Sequence, residues 1–241
     1  MPTPVIQIYP LKSWSFSRYA DHKKCPYRFK LKVLERREEP KGEALDRGIK
    51  IHDAASAFIR GDLKKLPKEL ASFAAEFKEL AKLYKQKTKA VVIADDDWAF
   101  RRDWTITHSK DWDGCWLRAK VDAAHSTDLR TMHLRDWKTG KLRQELVDEY
   151  LEQLEFYALC TFMMFEWVQE VTAELCFLDL GVVYPPPDKA LRYNRGQLPK
   201  LKAAWEKKAA IMFKDKMFPP RANAGCRWCH FRRENGGPCK F

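Results

Sequence analysis

Residues 115–138 read CWLRAKVDAAHSTDLRTMHLRDWK, and this stretch decides the fold. Apolar and polar residues alternate over 115–124 and again over 131–138, which is the pattern of two half-buried β-strands. Ser, Thr and Asp at 126–128 supply the turn between them. The sequence therefore predicts an antiparallel strand pair in the middle of the chain.

Three charged side chains come together on this predicted pair. Asp136 and Lys138 share one strand face because strand side chains repeat every two residues, and pairing can bring Asp122 next to them. Two carboxylates supply the hard oxygen ligands that Mg²⁺ and Mn²⁺ prefer. Such an ion clamps a phosphate and lowers the pKa of a bound water. The alternative is an exposed ion pair at a sheet edge, since an Asp-x-Lys spacing is common.

Helices and further strands surround this pair. Apolar residues recur at helical spacing in segments 45–59, 70–84, 145–165 and 198–215. Further strand patterns occupy segments 89–93, 98–106 and 171–180. These elements predict an α/β fold with a central mixed β-sheet flanked by helices.

The length of 241 residues fits a single domain, residues 1–241, since 45% of the residues are hydrophobic and can form a substantial core. Within it we expect a helical N-terminal part over 13–90 and an α/β catalytic core over 91–216. A cysteine-rich tail is expected over 217–241.

The charge balance points to a polyanionic partner. The formal net charge is +12, and excess Lys and Arg favour polyanions through counterion release. No signal-peptide pattern opens the sequence and no apolar run is long enough to cross a membrane, so we expect a cytoplasmic protein with no membrane contact. No phosphate-binding G-x-x-x-x-G-K-[ST] motif occurs, so no nucleotide triphosphate is expected as a ligand.

Cysteines form a second signal near the carboxyl terminus. Seven cysteines, an odd number, argue against a disulfide framework. Cys226-Arg-Trp-Cys229 has the spacing of a metal chelate and Cys239 follows nearby, but three thiolates need a fourth ligand. Zinc can be held with His230 or His22 as that ligand, and free thiols in the tail are the remaining alternative. Cysteines in apolar patterns are expected to be small buried residues; these are Cys115, Cys160 and Cys176.

Four short motifs occur in a fixed order. They are Gly48-Ile-Lys-Ile-His52 on the first long helix, Asp122, Asp136-Trp-Lys138, and Gln153-Leu-Glu-Phe-Tyr157 on the helix after the strand pair. This series resembles the PD-(D/E)XK nuclease superfamily, in particular its RecB-type branch with the small phage and CRISPR-adaptation nucleases. The resemblance runs from about Ser13 to the end and implies a restriction-endonuclease-like core.

The resemblance also implies residue roles. It makes His52, Asp122, Asp136 and the Trp137 backbone carbonyl the ligands of Mg²⁺ or Mn²⁺. Lys138 becomes the catalytic lysine. The alternative for His52 is a buried helix histidine with a local hydrogen bond.

Gln153 and Tyr157 match the motif that distinguishes the RecB-type branch. They lie four residues apart and so share a helix face. The resemblance implies that they position the lysine, the water or the DNA, and ordinary packing between helix and sheet is the alternative.

The cysteines acquire a shared role through the same resemblance. Cys25 matches an early cysteine that some members of the branch join to three late ones around a [4Fe–4S] cluster, here Cys226, Cys229 and Cys239. The cluster would tie the two chain ends together. Zn²⁺ on the same thiolates is the alternative.

The implied function is a metal-dependent DNA nuclease, with exonuclease action on DNA ends in recombination, repair or phage DNA metabolism as the preferred form. A recombination or replication protein is a conceivable partner, and a phage-encoded protein would act in the cytoplasm of its bacterial host. Two alternatives stay open: a non-catalytic DNA-binding or assembly protein with a structural metal, and a zinc-stapled endonuclease.

Overall fold

A mixed β-sheet runs through the molecule and carries helices on both faces. The computed structural model describes residues 10–40, 42–86 and 90–241, and in these residues the sheet has seven strands. The strands are β1 (Val91–Phe100), β2 (Ile106–Thr107), β3 (Leu117–Ser126), β4 (Thr131–Lys138), β5 (Glu170–Phe177), β6 (Val182–Tyr184) and β7 (Leu191–Asn194). Their order is β2-β1-β3-β4-β5-β6, and β7 also pairs with β5.

The helices cover the sheet. They are α1 (Phe16–Lys24), α2 (Pro26–Phe29), α3 (Glu43–Arg60), α4 (Ala74–Lys85), α5 (Gln144–Met164) and α6 (Leu198–Lys214). Among the described residues, none of these helices combines the length and apolar character that a membrane span requires. The predicted α/β class, with a central mixed sheet between helices, is confirmed.

Strand β4 is the centre of the sheet. It pairs antiparallel with β3, as the sequence predicts, and parallel with β5. A parallel neighbour requires a long crossover connection, and α5 supplies it between β4 and β5. The motif residues of α5 therefore pack directly over the strand that carries Asp136 and Lys138.

Two hydrophobic cores lie on opposite faces of the sheet. The first core contains residues of α1, α5 and α6, including Phe16, Phe156 and Trp205. The second core contains residues of α3 and α4, including Ile51 and Phe77. Residues from α3 and from α5 consequently reach the sheet from opposite sides.

The alternation of side chains in β3 reverses at Asp122. Leu117 and Val121 pack in the first core, but Ala123 packs in the second and Ala124 returns to the first. The expectation that residues 115–123 alternate without interruption is therefore wrong at Ala123. The reversal places Asp122 where the strand changes face.

Strand β1 shows the matching irregularity. It is one strand over 91–100, where the sequence suggested two, over 89–93 and 98–106; residue 89 itself lies outside the described residues. Ile93 and Trp98 both pack on the first core, although residues five apart in a regular strand point to opposite faces. The change of face occurs at Asp95, which lies between them and has a left-handed φ of 56°. The register places Asp95 opposite Asp122, since the pairs on either side are 94 with 123 and 96 with 121.

His125 and His133 form a half-buried pair on β3 and β4. Their ring centroids lie 5.0 Å apart, and His125 Nδ1 has no hydrogen-bond partner. Burial, the Arg135 guanidinium and His133 lower the pKa of His125 to about 4. Arg135 itself is paired with Glu76 of α4 and Glu174 of β5.

This histidine predicts a loss of stability in mild acid. Between about pH 6.5 and 4 the unfolded chain binds a proton that native His125 does not, so the free energy of unfolding falls as the pH falls through that window. The full loss is at most about 3 kcal/mol. We expect urea unfolding of His125→Gln to show a shallower decline between pH 7 and 5 than the wild type. The exposed His108→Gln is the control, and an equal decline in all three proteins would contradict the assignment.

Candidate active site

His52 and Asp122 meet at the reversal in β3. His52 lies on α3, and its Nδ1 is 3.0 Å from Asp122 Oδ1. The second oxygen of Asp122, Oδ2, accepts a 2.8 Å hydrogen bond from the backbone N–H of Trp137. The carboxylate of Asp122 thus joins helix α3 to strand β4.

Lys138 is held from several sides. Its Nζ lies 2.6 Å from Asp136 Oδ2 and donates to Gln153 Oε1 at 2.8 Å. The ammonium also lies 4.5 Å from the ring centroid of Tyr150. These contacts hold the lysine in one place between β4 and α5.

Gln153 and Tyr157 extend the network along α5. They lie one helical turn apart, and Gln153 Nε2 donates to the Tyr157 hydroxyl at 2.9 Å. Because the amide oxygen of Gln153 is the group that accepts from Lys138, the orientation of this amide is set by both neighbours. Tyr157, Gln153, Lys138 and Asp136 therefore form one connected chain of polar groups.

The surroundings shift the pKa values of these groups. Burial raises the pKa of Asp136, which is only 3% exposed, and the charge of Asp122 adds to this, whereas Lys138 opposes it. Burial disfavours the Lys138 ammonium, but Asp136 and Asp122 outweigh it, so the pKa of Lys138 is raised. In the same way, Asp122 outweighs burial and raises the pKa of His52. The site therefore concentrates charge where little water screens it.

The donor set fits a divalent cation in its chemistry. Ligands at about 2.1 Å from an octahedral ion lie about 3 Å from each other, which is the separation of His52 Nδ1 and Asp122 Oδ1. Asp136 and the carbonyl of Trp137 would complete the set that the sequence implies. Within the described part of the chain, however, no three His, Cys, Asp or Glu side chains already stand at metal-binding spacing. Asp136 faces the Lys138 ammonium instead.

An open groove leads to this cluster. His52, Asp122 and Lys138 line it, whereas Asp136 lies beneath its surface. Gly48 explains the spacing of the first motif, because a Cβ there would lie 3.2 Å from Thr139 Oγ1 of the loop after β4. The missing side chain lets α3 approach β4 closely enough for His52 to reach Asp122.

Two groove residues were missed by the sequence reasoning. Asp95 and Lys120 both line the groove and form a 2.9 Å ion pair there. The available signal was the run of three aspartates, residues 95–97, between the predicted strand segments 89–93 and 98–106. Such a run reads as a loop, and only the pairing of β1 with β3 places Asp95 opposite Asp122.

The four cysteines singled out by the resemblance line one pocket. Cys25 lies at the junction of α1 and α2, and Cys226, Cys229 and Cys239 reach the same pocket from the tail. Asn223 Nδ2 donates to the carbonyl of Lys24 at 3.3 Å, which attaches the tail to α1. No three of these thiols stand at metal-binding spacing in the described residues. The other cysteines are buried as predicted; these are Cys115, Cys160 and Cys176.

The sequence of this chain matches one known protein family. The family model described as the PD-(D/E)XK nuclease superfamily matches residues 13–233. A comparison with curated proteins gives no match. A solved structure titled "Crystal structure of SSO0001" is similar at 13% identity and a TM-score of 0.39, covering 91% of this chain and 84% of the other, a similarity too low to support an argument. The family match spans most of the chain, and its range contains the four motifs from Gly48 to Tyr157, so the protein belongs to the PD-(D/E)XK nuclease superfamily, whose members cleave phosphodiester bonds.

Proposed function

We propose that this protein is a RecB-type, metal-dependent deoxyribonuclease that hydrolyses DNA from its ends. The observation that carries the proposal is the continuous network from His52 and Asp122 through β4 to Lys138 and Gln153. Residues from opposite faces of the sheet meet in it at one open groove. Burying these charged and polar groups costs free energy of folding, and clusters of this kind are typical of active sites.

Each side chain has a distinct task in this mechanism. Bound Mg²⁺ or Mn²⁺ would neutralise charge on the scissile phosphate and lower the pKa of the attacking water. His52, Asp122 and Asp136, with the carbonyl of Trp137, would hold that ion. Lys138 orients the water for in-line attack or offsets the negative charge that develops on the phosphate.

Gln153 and Tyr157 are positioning residues in this mechanism. Gln153 keeps the Lys138 ammonium directed at the groove, and Tyr157 fixes the amide of Gln153. Burial, Asp136 and Asp122 raise the pKa of Tyr157 well above its usual value, so its hydroxyl stays protonated. Tyr157 can therefore accept from Gln153 without carrying charge of its own.

The preference for DNA ends rests on the resemblance to compact end-processing nucleases of the RecB-type branch. Recombination, repair or phage DNA metabolism is the corresponding setting. The test is to incubate the protein with labelled linear and circular DNA, single- and double-stranded, with Mg²⁺ or Mn²⁺. We expect linear DNA to be degraded and closed circles to survive.

The other outcomes decide between the alternatives. Cleavage of closed circular DNA would show that the protein is an endonuclease and not an exonuclease. Binding without cleavage in either metal would support a DNA-binding or assembly protein instead. The net charge of +12 makes binding expected in every case, so cleavage is the informative readout.

We further propose that Cys25, Cys226, Cys229 and Cys239 hold a [4Fe–4S] cluster that joins the tail to α1. Their common pocket supports this, and all-thiolate ligation suits iron–sulfur chemistry. We expect the protein purified without oxygen to be brown, to contain iron and sulfide, and to lose both in Cys226→Ala.

The buried Cys160→Ala is the matched control, and it should keep the colour and the iron. A colourless protein with stoichiometric zinc would assign the pocket to Zn²⁺. A protein with neither metal would leave the cysteines as free thiols and refute the cluster.

A further inference from the structure

A second cleft adjoins the catalytic groove on the side of α5. Arg18 of α1 and Arg118 of β3 line it, together with Gln153. Lys120 lines both the cleft and the groove, so the two are neighbours with this side chain between them. Gln153 is the side chain that lies between the cleft and Lys138, because it lines the cleft and accepts a hydrogen bond from the lysine. Nothing in the mechanism above uses the two arginines.

Neither arginine has an acidic partner in the described part of the chain. Arg18 Nη1 donates to the carbonyl and hydroxyl of Ser13, at 2.7 and 3.0 Å. Arg118 Nε donates to Cys115 Sγ at 3.4 Å, and its guanidinium lies 5.2 Å from the ring centroid of Trp112. Among the described residues, no ion pair joins Arg18 or Arg118 to a carboxylate, although most half-buried arginines of this protein have one, such as Arg28.

The positive charge of the cleft is poorly compensated. Burial, and then the neighbouring charge of Arg118, lower the pKa of Arg18, although a guanidinium stays protonated at any working pH. Helix α1 starts at the cleft and has no acidic residue in its first turn. Asp97 lines the cleft too, but it is exposed, and no ion pair between the described residues joins it to either arginine. Two half-buried like charges that lack a counterion among the residues of known placement cost free energy that a bound anion would recover.

We propose that this cleft binds a phosphate group of the DNA strand, next to the phosphate that is cleaved in the groove. The inference rests on the proposed nuclease function and adds a second point of attachment for the same strand. Arg18 and Arg118 form charge-assisted hydrogen bonds to the phosphate oxygens, and the serine hydroxyls at the start of α1 are neutral donors beside them. Lys120 bridges from this phosphate to the scissile one. Held at both points, the strand presents one particular bond to Lys138.

The test measures binding without cleavage. A fluorescent single strand of about 12 nucleotides is titrated with protein in EDTA over a series of salt concentrations. We expect Arg18→Gln and Arg118→Gln each to weaken binding about 10-fold near physiological salt. The slope of log K against log salt should also become shallower by about 0.7 in each variant, as for one lost phosphate contact on a single strand.

Arg130→Gln is the matched control, because Arg130 lies at the opposite end of β4 and pairs with Glu170 in the open. Binding constants and slopes of both variants equal to those of Arg130→Gln would overturn the inference. Thermal melting checks the fold. If Arg18→Gln melts early, the comparison rests on Arg118→Gln, whose side chain donates a hydrogen bond to Cys115 and lies over the ring of Trp112.

Substrate ends identify which phosphate is bound. If the arginine variants bind more weakly than the wild type only when the strand carries a 5′- or 3′-phosphate, and not when its ends are hydroxyl groups, the cleft binds a terminal phosphate. If the variants lose as much affinity for circular single strands as for linear ones, the cleft binds an internal phosphodiester. Failure of the nuclease proposal is distinguishable, because a protein that never cleaves can still show the arginine-dependent salt slope. Conversely, an active nuclease indifferent to both substitutions refutes the cleft alone.

Discussion

Lys138→Ala is expected to lower the turnover of DNA cleavage about 10²–10⁴-fold while leaving DNA binding in EDTA nearly unchanged. The lysine is the only cation within bonding reach of both Asp136 and Gln153 among the described residues, so no neighbour can replace it. Its loss removes the charge that acts on the scissile phosphate. Asp136→Asn should give a loss of similar size, because it removes a carboxylate from the ion-binding set.

The control for this pair is Lys82→Ala, which removes an exposed lysine on α4 that pairs with Glu79. Single-turnover cleavage measures chemistry separately from product release. Circular dichroism and thermal melting check that both variants fold. The check is needed because Lys138→Ala leaves the buried Asp136 carboxylate without its partner, whereas Asp136→Asn retains nearly the native side-chain shape. If both variants turn over DNA within a few-fold of the rate of Lys82→Ala, Lys138 and Asp136 take no part in catalysis.

Trp205→Ala should destabilise the protein by about 3–5 kcal/mol, the cost of a fully buried aromatic. Trp205 of α6 is 0% exposed, and its ring packs within about 6 Å of Trp14, Phe16, Tyr19 and Phe156. Truncation leaves a cavity where α1, α5 and α6 meet. Denaturant unfolding of the wild type and variant under one set of conditions measures the difference.

Trp112 offers a matched control, since it is 71% exposed in the turn before β3. Trp112→Ala should change the free energy of unfolding by less than about 1 kcal/mol. An equally small effect for Trp205→Ala would mean that α6 does not pack on α1 and α5 as described. Because α5 also carries Gln153, loosening this junction should reduce activity as well as stability.

Much of the fold could be predicted from local patterns. The alternation in β4 and the long apolar helix α5 were assigned almost to the residue, because period-2 and period-3.6 patterns depend only on neighbouring residues. The candidate site residues were also identifiable, since the motif residues stand in order along the chain. The assigned roles, including metal binding by His52 and the cysteine cluster, stay predictions until cleavage and metal content are measured.

The geometry that joins those residues could not be read from the sequence. Asp95 looked like part of a loop, and its place opposite Asp122 exists only because β1 pairs with β3. The two arginines of the second cleft are 100 residues apart in the sequence and carry no shared motif, yet α1 and β3 bring them to one surface. Asp136 looked like an open metal ligand, whereas packing of α5 on β4 buries it against Lys138.

The sequence by itself determined the order of the elements, the faces that must be buried and the residue types available for chemistry, because hydrophobic periodicity and side-chain chemistry are local properties. Tertiary structure alone decided that His52, 70 residues before Asp122, touches it from one side of the sheet while Gln153 reaches Lys138 from the other. That meeting depends on a reversal of face in β3 and on helices packed against both cores. Such packing is a property of the whole chain, and no window of sequence contains it.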